Sequence, residues 1–345
     1  MNKFFPLLFV LIATCSCNNL DNVDQGRIGV RVAVDGTRAL IDNESIKTDG
    51  FVSAAYAEQS WHDNLIADGE VGSSSNEYVA GLYFTESVNY DSSASKWSFA
   101  SEQKWLNGIP LTFWSWNSSA SDNISNKDYS VGSGVFSFDY AIGDTSAADD
   151  FVMAYNGEKR TFKGDGAIDE SNCSGTRTDG QIDVHFYHGL SEINFMVCTD
   201  ESEGSFDPSL VIKSLGFSNL VSSASCVFTG STHDFDWTLG SDVAAFTRNF
   251  GAQTGTGSSW TDKTVDSKTY RKTGSSFYFI PQTCGSDTKL ILTLADDTTR
   301  EVSVSGMEWL PGKYYTYKLE AHAKSIDFTA KLIDWGEGGT YTLTK

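Results

Sequence analysis

The residues best suited to covalent chemistry are six cysteines, which fall into two groups along the 345-residue chain. Cys15 and Cys17 lie at the end of an apolar run, residues 4–13, where a thiol can accept an acyl chain. Four others are widely spaced: Cys173, Cys198, Cys226 and Cys284. Their spacing gives neither C-x-x-C pairs nor a zinc pattern, so their disulfide pairing stays open, and Cys198 with Cys226 is the first pair to test.

The N-terminus has the order of a secretory signal: Lys3, the apolar run, then small residues around the two cysteines. The run is shorter than the ~20 residues that a membrane-spanning helix needs. A cysteine after small residues at this point resembles a bacterial lipobox, in which the thiol is acylated and becomes the new N-terminus. Ser16 favours Cys17 as the lipidated residue, with Cys15 as the alternative, and an ordinary secretory signal is a third reading.

Other chemistry is poorly supported by the residue spacing. His185 and His188 are three apart on a predicted strand, which places them on opposite faces and unable to share a metal. Adjacent acids at residues 149–150 and 296–297 point apart on turns, whereas glycoside hydrolysis needs two carboxyl groups held ~5 to 10 Å apart across a cleft. No nucleophile elbow, zinc-protease or phosphate-loop motif occurs. We therefore expect no catalytic residue, no metal, no cofactor and no enzymatic activity.

The charge balance excludes one class of partner. The chain carries 45 acidic and 25 basic residues, a formal net charge of −20. Nucleic-acid binding depends on Lys and Arg displacing counterions from phosphates, so an acidic surface predicts no nucleic-acid partner. With 40% hydrophobic residues, the chain is long enough for two domains with sizeable cores.

The dominant hydrophobic period is two, as in half-buried strands. Ile28, Val30, Val32 and Val34 alternate with small or polar residues. Further predicted strands cover residues 111–116, 135–138, 182–188, 193–198, 211–217, 277–280, 290–294, 314–319 and 326–332. No stretch carries a convincing helical stripe, so we expect an all-β chain with little helix.

A polar segment at residues 164–180 separates two strand-rich halves. We predict a lipoprotein signal peptide at residues 1–16, a tether at 17–27, an N-terminal β-sandwich domain at 28–172 and a C-terminal β-sandwich domain at 173–345. The tether is polar, and its acids Asp21 and Asp24 resemble those that follow the lipidated cysteine in bacterial lipoproteins directed to the outer face of the membrane. The resemblance implies export to that face, and a plain linker is the alternative.

Tryptophan is the residue that could point to another function. Trp97, Trp105, Trp114 and Trp116 could stack on sugar rings and make the chain a surface glycan-binding lipoprotein. Trp114 and Trp116 share one face of a predicted strand whose other face is also apolar. We expect one face to lie in the core and the other to be covered by a loop, a partner or a ligand. We favour core packing for these aromatics and keep glycan binding as the alternative.

Short signatures in a fixed order along the mature chain resemble the fimbrillin family, in particular the minor-fimbria-like type V pilins. They are Gly36-Thr37-Arg38-Ala39, Leu111-Thr112-Phe113-Trp114, Asp149-Asp150-Phe151-Val152, Phe186-Tyr187-His188-Gly189-Leu190, Phe279-Ile280-Pro281-Gln282, Pro311-Gly312-Lys313 and Asp334-Trp335. The resemblance implies two tandem transthyretin-like antiparallel β-sandwich domains. It also implies a fimbrium at the outer membrane, held by a palmitate-bearing lipid anchor, with other fimbrillin subunits as partners and a host or bacterial surface ligand for adhesion.

The family joins its subunits by strand exchange, which implies three kinds of site residue here. The removable first strand and its groove would involve Ile28, Val30, Val32 and Val34, with proteolytic processing at Arg38. The donor strand would come from the C-terminal runs, with Ile326, Phe328, Leu332, Tyr341 and Leu343 facing the groove. The alternative is that these strands stay permanently in their own domains, as we expect for the first C-terminal run. The position of the subunit as stalk, tip or anchor stays open.

Overall fold

The computed structural model describes residues 28–34, 41–62, 77–106, 109–157, 161–162, 173–174, 181–198, 212–250, 260–265, 268–273, 276–294, 296–321, 326–334 and 341–343. Cys15, Cys17 and Arg38 lie outside these residues, as do the predicted signal peptide and tether.

Strands make up nearly all the regular structure in these residues, in agreement with the all-β prediction. Those of the first half are β1 (Gly29–Val34), β2 (Phe51–Ala57), β3 (Trp61–His62), β4 (Glu77–Tyr78), β5 (Gly81–Asp91), β6 (Lys96–Phe99), β7 (Leu111–Asn117), β8 (Ile124–Tyr129), β9 (Val135–Ala141), β10 (Val152–Asn156), β11 (Thr161–Phe162), β12 (Cys173–Ser174) and β13 (Gln181–His188). Helix is confined to α1 (Ser45–Asp49) and a 3₁₀ helix (Ser118–Asn123) in the described part.

The second half continues with strands of similar length. They are β14 (Ser191–Cys198), β15 (Ile212–Val221), β16 (Ser223–Thr229), β17 (Asp234–Leu239), β18 (Val243–Asn249), β19 (Trp260–Val265), β20 (Lys268–Thr273), β21 (Phe277–Phe279), β22 (Lys289–Leu294), β23 (Thr299–Ser303), β24 (Lys313–Ala321), β25 (Ile326–Asp334) and β26 (Tyr341–Leu343).

The N-terminal part is built on a sheet that closes on itself in the order β1-β13-β10-β7-β2-β5-β6, with β1 paired to β6. Its interior is filled by alternate residues of these strands, including Phe51, Phe113 and Phe186. A four-stranded sheet, β17-β16-β9-β8, packs against the outer face and encloses a second core. Strand β7 therefore buries both of its faces, and its second face is covered by a sheet of the same chain instead of the loop, partner or ligand that we expected.

The C-terminal part is a sandwich of two sheets. One has the order β19-β20-β14-β24-β25-β26, with β21 also paired to β14, and the other has the order β18-β15-β22-β23. Aromatic rings dominate the space between them, and Phe217 contacts Phe277, Phe279 and Trp309 edge to face. The sandwich prediction is confirmed, and most strand pairs are antiparallel, but β1 with β13 and β14 with β24 are parallel.

Strand pairing crosses the predicted boundary at residue 172. Strand β13 lies in the N-terminal barrel between β1 and β10, and β16 pairs with β9 over seven residues, Ser223↔Ala141 to Thr229↔Val135. Segment 145–147 in turn contacts the C-terminal sandwich, where Thr247 N donates to Thr145 O and Tyr278 N donates to Ala147 O. Strands of the second half therefore lie in sheets of the first half, and the division of the chain into two tandem domains stays a prediction.

Gln282, the last residue of the Phe279-Ile280-Pro281-Gln282 signature, holds the chain where it passes from the C-terminal sandwich to the N-terminal part. Gln282 Oε1 accepts from Val221 N at 3.0 Å, and its Nε2 donates to Val221 O at 3.2 Å and to Ile280 O at 3.0 Å. Val221 ends β15 in the C-terminal sandwich, just before β16 begins beside β9. Val221 is in register with Val243 of β18, whereas the β15–β22 pairs end at Ser218↔Lys289. The buried Gln282 amide thus satisfies the backbone of Val221 in place of a residue of β22.

Two of the cysteines, Cys226 and Cys284, are reduced. Cys226 and Cys284 are buried free thiols, so the Cys198–Cys226 disulfide that we considered first is not formed. Burial raises the pKa of both thiols, to about 12 at Cys284. Because the thiolate is the reactive form, these two cysteines behave as small apolar core residues.

Candidate functional site

The first strand, β1, occupies the slot between β13 and β6, and it pairs far more extensively with β13 than with β6. It pairs in parallel with β13 at six positions, from Gly29↔Gln181 to Val34↔Phe186. With β6 it shares a single antiparallel position, Val30↔Trp97. Strand β1 is therefore the element that closes the barrel, and it is also its N-terminal strand.

The inward face of β1 is part of the barrel core. Ile28, Val30 and Val34 are buried at 7%, 7% and 5% exposure, and Val32 is half-buried against the same cluster. Fully burying an aliphatic side chain contributes about 1.5 to 3 kcal/mol. All four predicted groove residues thus face inward, and a strand that replaces β1 must supply apolar side chains at the same alternate positions.

The outward face of β1 lies beside the outward row of β13. Arg31 Nε donates to Asp183 Oδ1 at 2.9 Å, across the register position that pairs the two residues. At the preceding position, a Cβ on Gly29 would come within 2.8 Å of Gln181 Cγ, so this contact favours glycine. The sequence patterns did not single out Asp183 or Gln181, because each is one polar residue in an alternating strand.

Two hydrogen bonds hold the ends of β1. Ile28 N donates to Gln103 O at 2.9 Å, and Val34 N donates to Asn43 Oδ1 at 2.9 Å. Beyond Val34, the chain passes through residues 35–40, which contain Arg38 outside the described residues. A cut at Arg38 would therefore leave β1 attached only by noncovalent contacts.

The predicted donor strands pair within their own sheet. Strand β25 pairs with β24 at nine positions, Lys313↔Asp334 to Ala321↔Ile326, whereas β26 pairs with β25 at three, Ala330↔Leu343 to Leu332↔Tyr341. The expectation that the first C-terminal run completes its own sheet is confirmed. Strand β26 is at the edge of that sheet and has the smaller number of pairs to lose.

An aromatic and histidine stack lies beside the outward row of β13. Tyr187 stacks on His233 with ring centroids 4.0 Å apart and on His185 at 4.7 Å. Partial burial is the main cause that lowers the pKa of His233, and the charge of His185 lowers it further, against a smaller opposing effect of Asp234. As the sequence indicated, His185 and His188 occupy opposite faces, since His185 is exposed and His188 is buried.

The tryptophans that suggested sugar stacking serve as packing residues. Trp114, Trp116 and Trp105 are buried at 0%, 3% and 3% exposure, and Trp97 is half-buried against Phe51 and Tyr90. A sugar ring needs an accessible aromatic face. These side chains therefore give no support to the glycan-binding alternative.

Two further properties of the described residues bear on the chemistry of the molecule. In the part of the chain that the structure describes, no three His, Cys, Asp or Glu side chains lie together as a metal site would require. None of the helices in the same residues is both long and apolar enough to cross a lipid bilayer.

Comparison with known proteins gives a family and a fold. The profile of the fimbrillin-like family matches residues 55–335. A crystal structure of a candidate cell adhesion protein from Bacteroides ovatus ATCC 8483 is similar at 12% identity and a TM-score of 0.52, covering 90% of this chain and 98% of that one. Another, from Bacteroides uniformis ATCC 8492, has 12% identity and a TM-score of 0.47 with the same coverage. No curated protein matches the chain in sequence.

The family match spans most of the chain, from strand β2 to the end of β25. The all-β sandwich architecture agrees with the Bacteroides ovatus structure, and at this identity the likeness concerns the fold alone. The chain belongs to the fimbrillin-like family.

Proposed function

We propose that this chain is a subunit of cell-surface fimbriae, exported as a lipoprotein and joined to its neighbours when a strand from another subunit replaces β1. One observation carries the proposal: β1 alone fills the gap between β13 and β6, with its aliphatic side chains in the core. The fimbrillin-like family and the cell adhesion proteins of related structure support a role in fimbriae or adhesion.

The physics of the slot explains why an incoming strand would bind. Without β1, the facing edges of β13 and β6 would carry unpaired N–H and C=O groups above an exposed apolar groove. An added strand satisfies both needs at once, because its backbone pairs with the edges and its alternate side chains fill the groove. A chain end is best placed to supply such a strand, since it can leave its own sheet without breaking a loop.

Cleavage would control the timing of exchange. While residues 35–40 join β1 to the rest of the chain, β1 rebinds its slot at an effective concentration of the order of mM. A donor on another subunit competes poorly against this intramolecular strand. Cleavage at Arg38 would remove that advantage and allow exchange.

The proposal is tested by limited digestion with an Arg-specific protease. We expect cleavage after Arg38 with the sandwiches still folded, followed by assembly with subunits that carry a free C-terminal strand. Arg38→Ala should prevent both cleavage at this point and assembly, whereas Arg300→Ala on β23 should change neither. Cut protein that stays monomeric beside competent donors would contradict strand exchange.

Export as a lipoprotein is tested separately. We expect Cys17→Ala to abolish palmitate labelling and membrane retention, with Cys15→Ala as the matched comparison. Loss in the Cys15 variant alone would move the lipidation site to Cys15. Full labelling in both variants would contradict lipidation at one of these cysteines alone. Absence of label in the wild-type protein would contradict the lipoprotein assignment, and neither outcome bears on strand exchange.

A further inference from the structure

We propose that Asp183 selects, by charge, the strand that enters the β1 slot, so that the preferred donor carries Arg or Lys at the outward position opposite this carboxylate. The inference rests on the strand exchange proposed above and adds the chemistry of the partner. Its starting point is the ion pair between Arg31 and Asp183, which joins the strand to the wall of its slot.

The inward face of the slot discriminates weakly among donors. It requires apolar side chains at alternate positions, as at Ile28, Val30 and Val34, and any half-buried strand with a hydrophobic period of two meets that requirement. Discrimination therefore has to come from the outward face, where the donor side chains lie beside Gln181, Asp183 and His185 of β13.

Asp183 is well placed to distinguish donor strands by the charge of the side chain at the position of residue 31. Parallel register fixes Arg31 opposite Asp183, and Asn156 Nδ2 donates to Asp183 O at 2.9 Å, which holds the backbone of β13 at this point. Strand β6 forms the other wall of the slot and pairs with β1 through Trp97. The basic residue beside Trp97 is Lys96, and it is in register with Asp91 of β5 and not with a residue of β1. The Asp183 carboxylate is thus the charge aligned with the central outward residue of the strand.

The solvent exposure of the Arg31–Asp183 pair determines how strongly Asp183 can discriminate between donor strands. The Arg31 and Asp183 side chains are 43% and 34% exposed, so their pairing is partly screened by water. Exposed ion pairs of this kind change an equilibrium constant by about two- to fivefold. Such a bias cannot hold a strand in the slot, but it can rank donors whose apolar side chains are equivalent.

The test uses the full chain, cut in place at Arg38, so that the original β1 occupies the slot until a competitor displaces it. The competitors are labelled peptides with the sequence of residues 28–34 and a common solubilising tail, carrying either Arg or Glu at position 31. Each is titrated against wild-type, Asp183→Asn and Asp183→Lys proteins, with near-UV circular dichroism to verify their folds.

We expect the Arg peptide to bind the wild-type protein about two- to fivefold more tightly than the Glu peptide. The preference should disappear in Asp183→Asn and reverse in Asp183→Lys. If Asp183→Lys does not fold, the wild-type and Asp183→Asn proteins decide the matter. The same peptide preference in every folded protein would overturn the role of Asp183 and leave strand exchange intact. Failure of both peptides to enter the slot of folded, cut protein would instead contradict strand exchange itself.

Discussion

His188 Nδ1 lies 3.0 Å from Asp150 Oδ2, and both side chains are almost completely buried. Asp150 also accepts from Phe151 N at 2.8 Å and from Ile41 N at 3.4 Å. The pair joins the start of β10 to the end of β13, and so unites two signatures that are 38 residues apart in the sequence. Strand β13 makes six register pairs with β1, so this buried contact stabilises the strand against which β1 lies.

Removal of either member of the buried pair should destabilise the fold. We expect Asp150→Ala and His188→Ala each to lower the free energy of unfolding by about 3 kcal/mol, because the remaining polar group loses its buried partner. The double variant should lose clearly less than the sum of the two. Urea denaturation of the four proteins measures this coupling.

The exposed pair Lys289–Glu301 provides the matched control, with side chains 49% and 47% exposed. Glu301→Ala should cost at most about 1 kcal/mol. Strictly additive effects at Asp150 and His188 would show that the buried contact contributes no coupling energy.

The partial burial of His233 predicts a pH dependence. The pKa of His233 is lower in the folded chain than its ordinary value of 6.5, so the unfolded chain binds the proton more readily. The contribution of this histidine is fully present above pH 6.5 and is lost as the pH falls toward the folded pKa. We expect the free energy of unfolding to decrease between about pH 7 and pH 5, and this decrease to be smaller in His233→Asn.

A separate acid-induced loss provides the internal control for that experiment. A hydrogen bond from Ser225 and a weaker effect of the one from Asn126 lower the pKa of Asp139 from its ordinary value of 3.8. The stability that Asp139 contributes is therefore lost only as the pH falls below about 3.8. This part of the profile should be the same in His233→Asn and in wild-type protein. An unchanged slope between about pH 7 and pH 5 would contradict the assignment to His233.

Replacement of Trp114 should affect stability, and we expect no specific polysaccharide binding in the wild-type protein or in the variant. Its ring packs against Tyr155 at 4.4 Å and Phe136 at 5.2 Å, and Trp114→Ala should cost about 3 to 5 kcal/mol through the cavity it leaves. Trp114→Phe should cost less, because it also removes a buried Nε1 that has no hydrogen-bond partner. Thermal unfolding measures both variants.

Val243→Ala, at an exposed position, should change stability by no more than about 0.5 kcal/mol and serves as the control. Polysaccharide binding is measured in parallel on wild-type and Trp114→Phe proteins. Micromolar binding that is lost in a folded Trp114→Phe variant would restore the glycan-binding alternative.

Much of the fold could be predicted from alternation alone. The inward row of β1 and the two apolar faces of β7 follow from a period of two, and the structure places Ile28, Val30, Phe113 and Trp114 in cores as expected. The partners of each strand could not be predicted this way. Alternation fixes which side chains share a face, but it is the same for parallel and antiparallel neighbours. For this reason the parallel pairing of β1 with β13 was missed.

The candidate site was predicted in part for a similar reason. The four aliphatic residues of β1 give a strong local signal, whereas Asp183 acquires its role only when β13 is brought beside β1 from 152 residues away. An arginine in the middle of an aliphatic strand was the one available hint. It indicates that an acid lies on a neighbouring strand, but it does not identify which acid.

The central claim, that β1 must leave its slot for subunits to join, is tested most directly by locking the strand in place. Ala33 and His185 are exposed register partners on β1 and β13. Neighbouring strands lie about 4.8 Å apart, which is within the Cα separation that a disulfide between two introduced cysteines can span. We expect oxidised Ala33→Cys/His185→Cys protein to be cut at Arg38 but to remain unassembled, and reduction to restore assembly to the level of the single variant Ala33→Cys. Assembly of the oxidised protein at the same rate as the reduced protein would contradict the account.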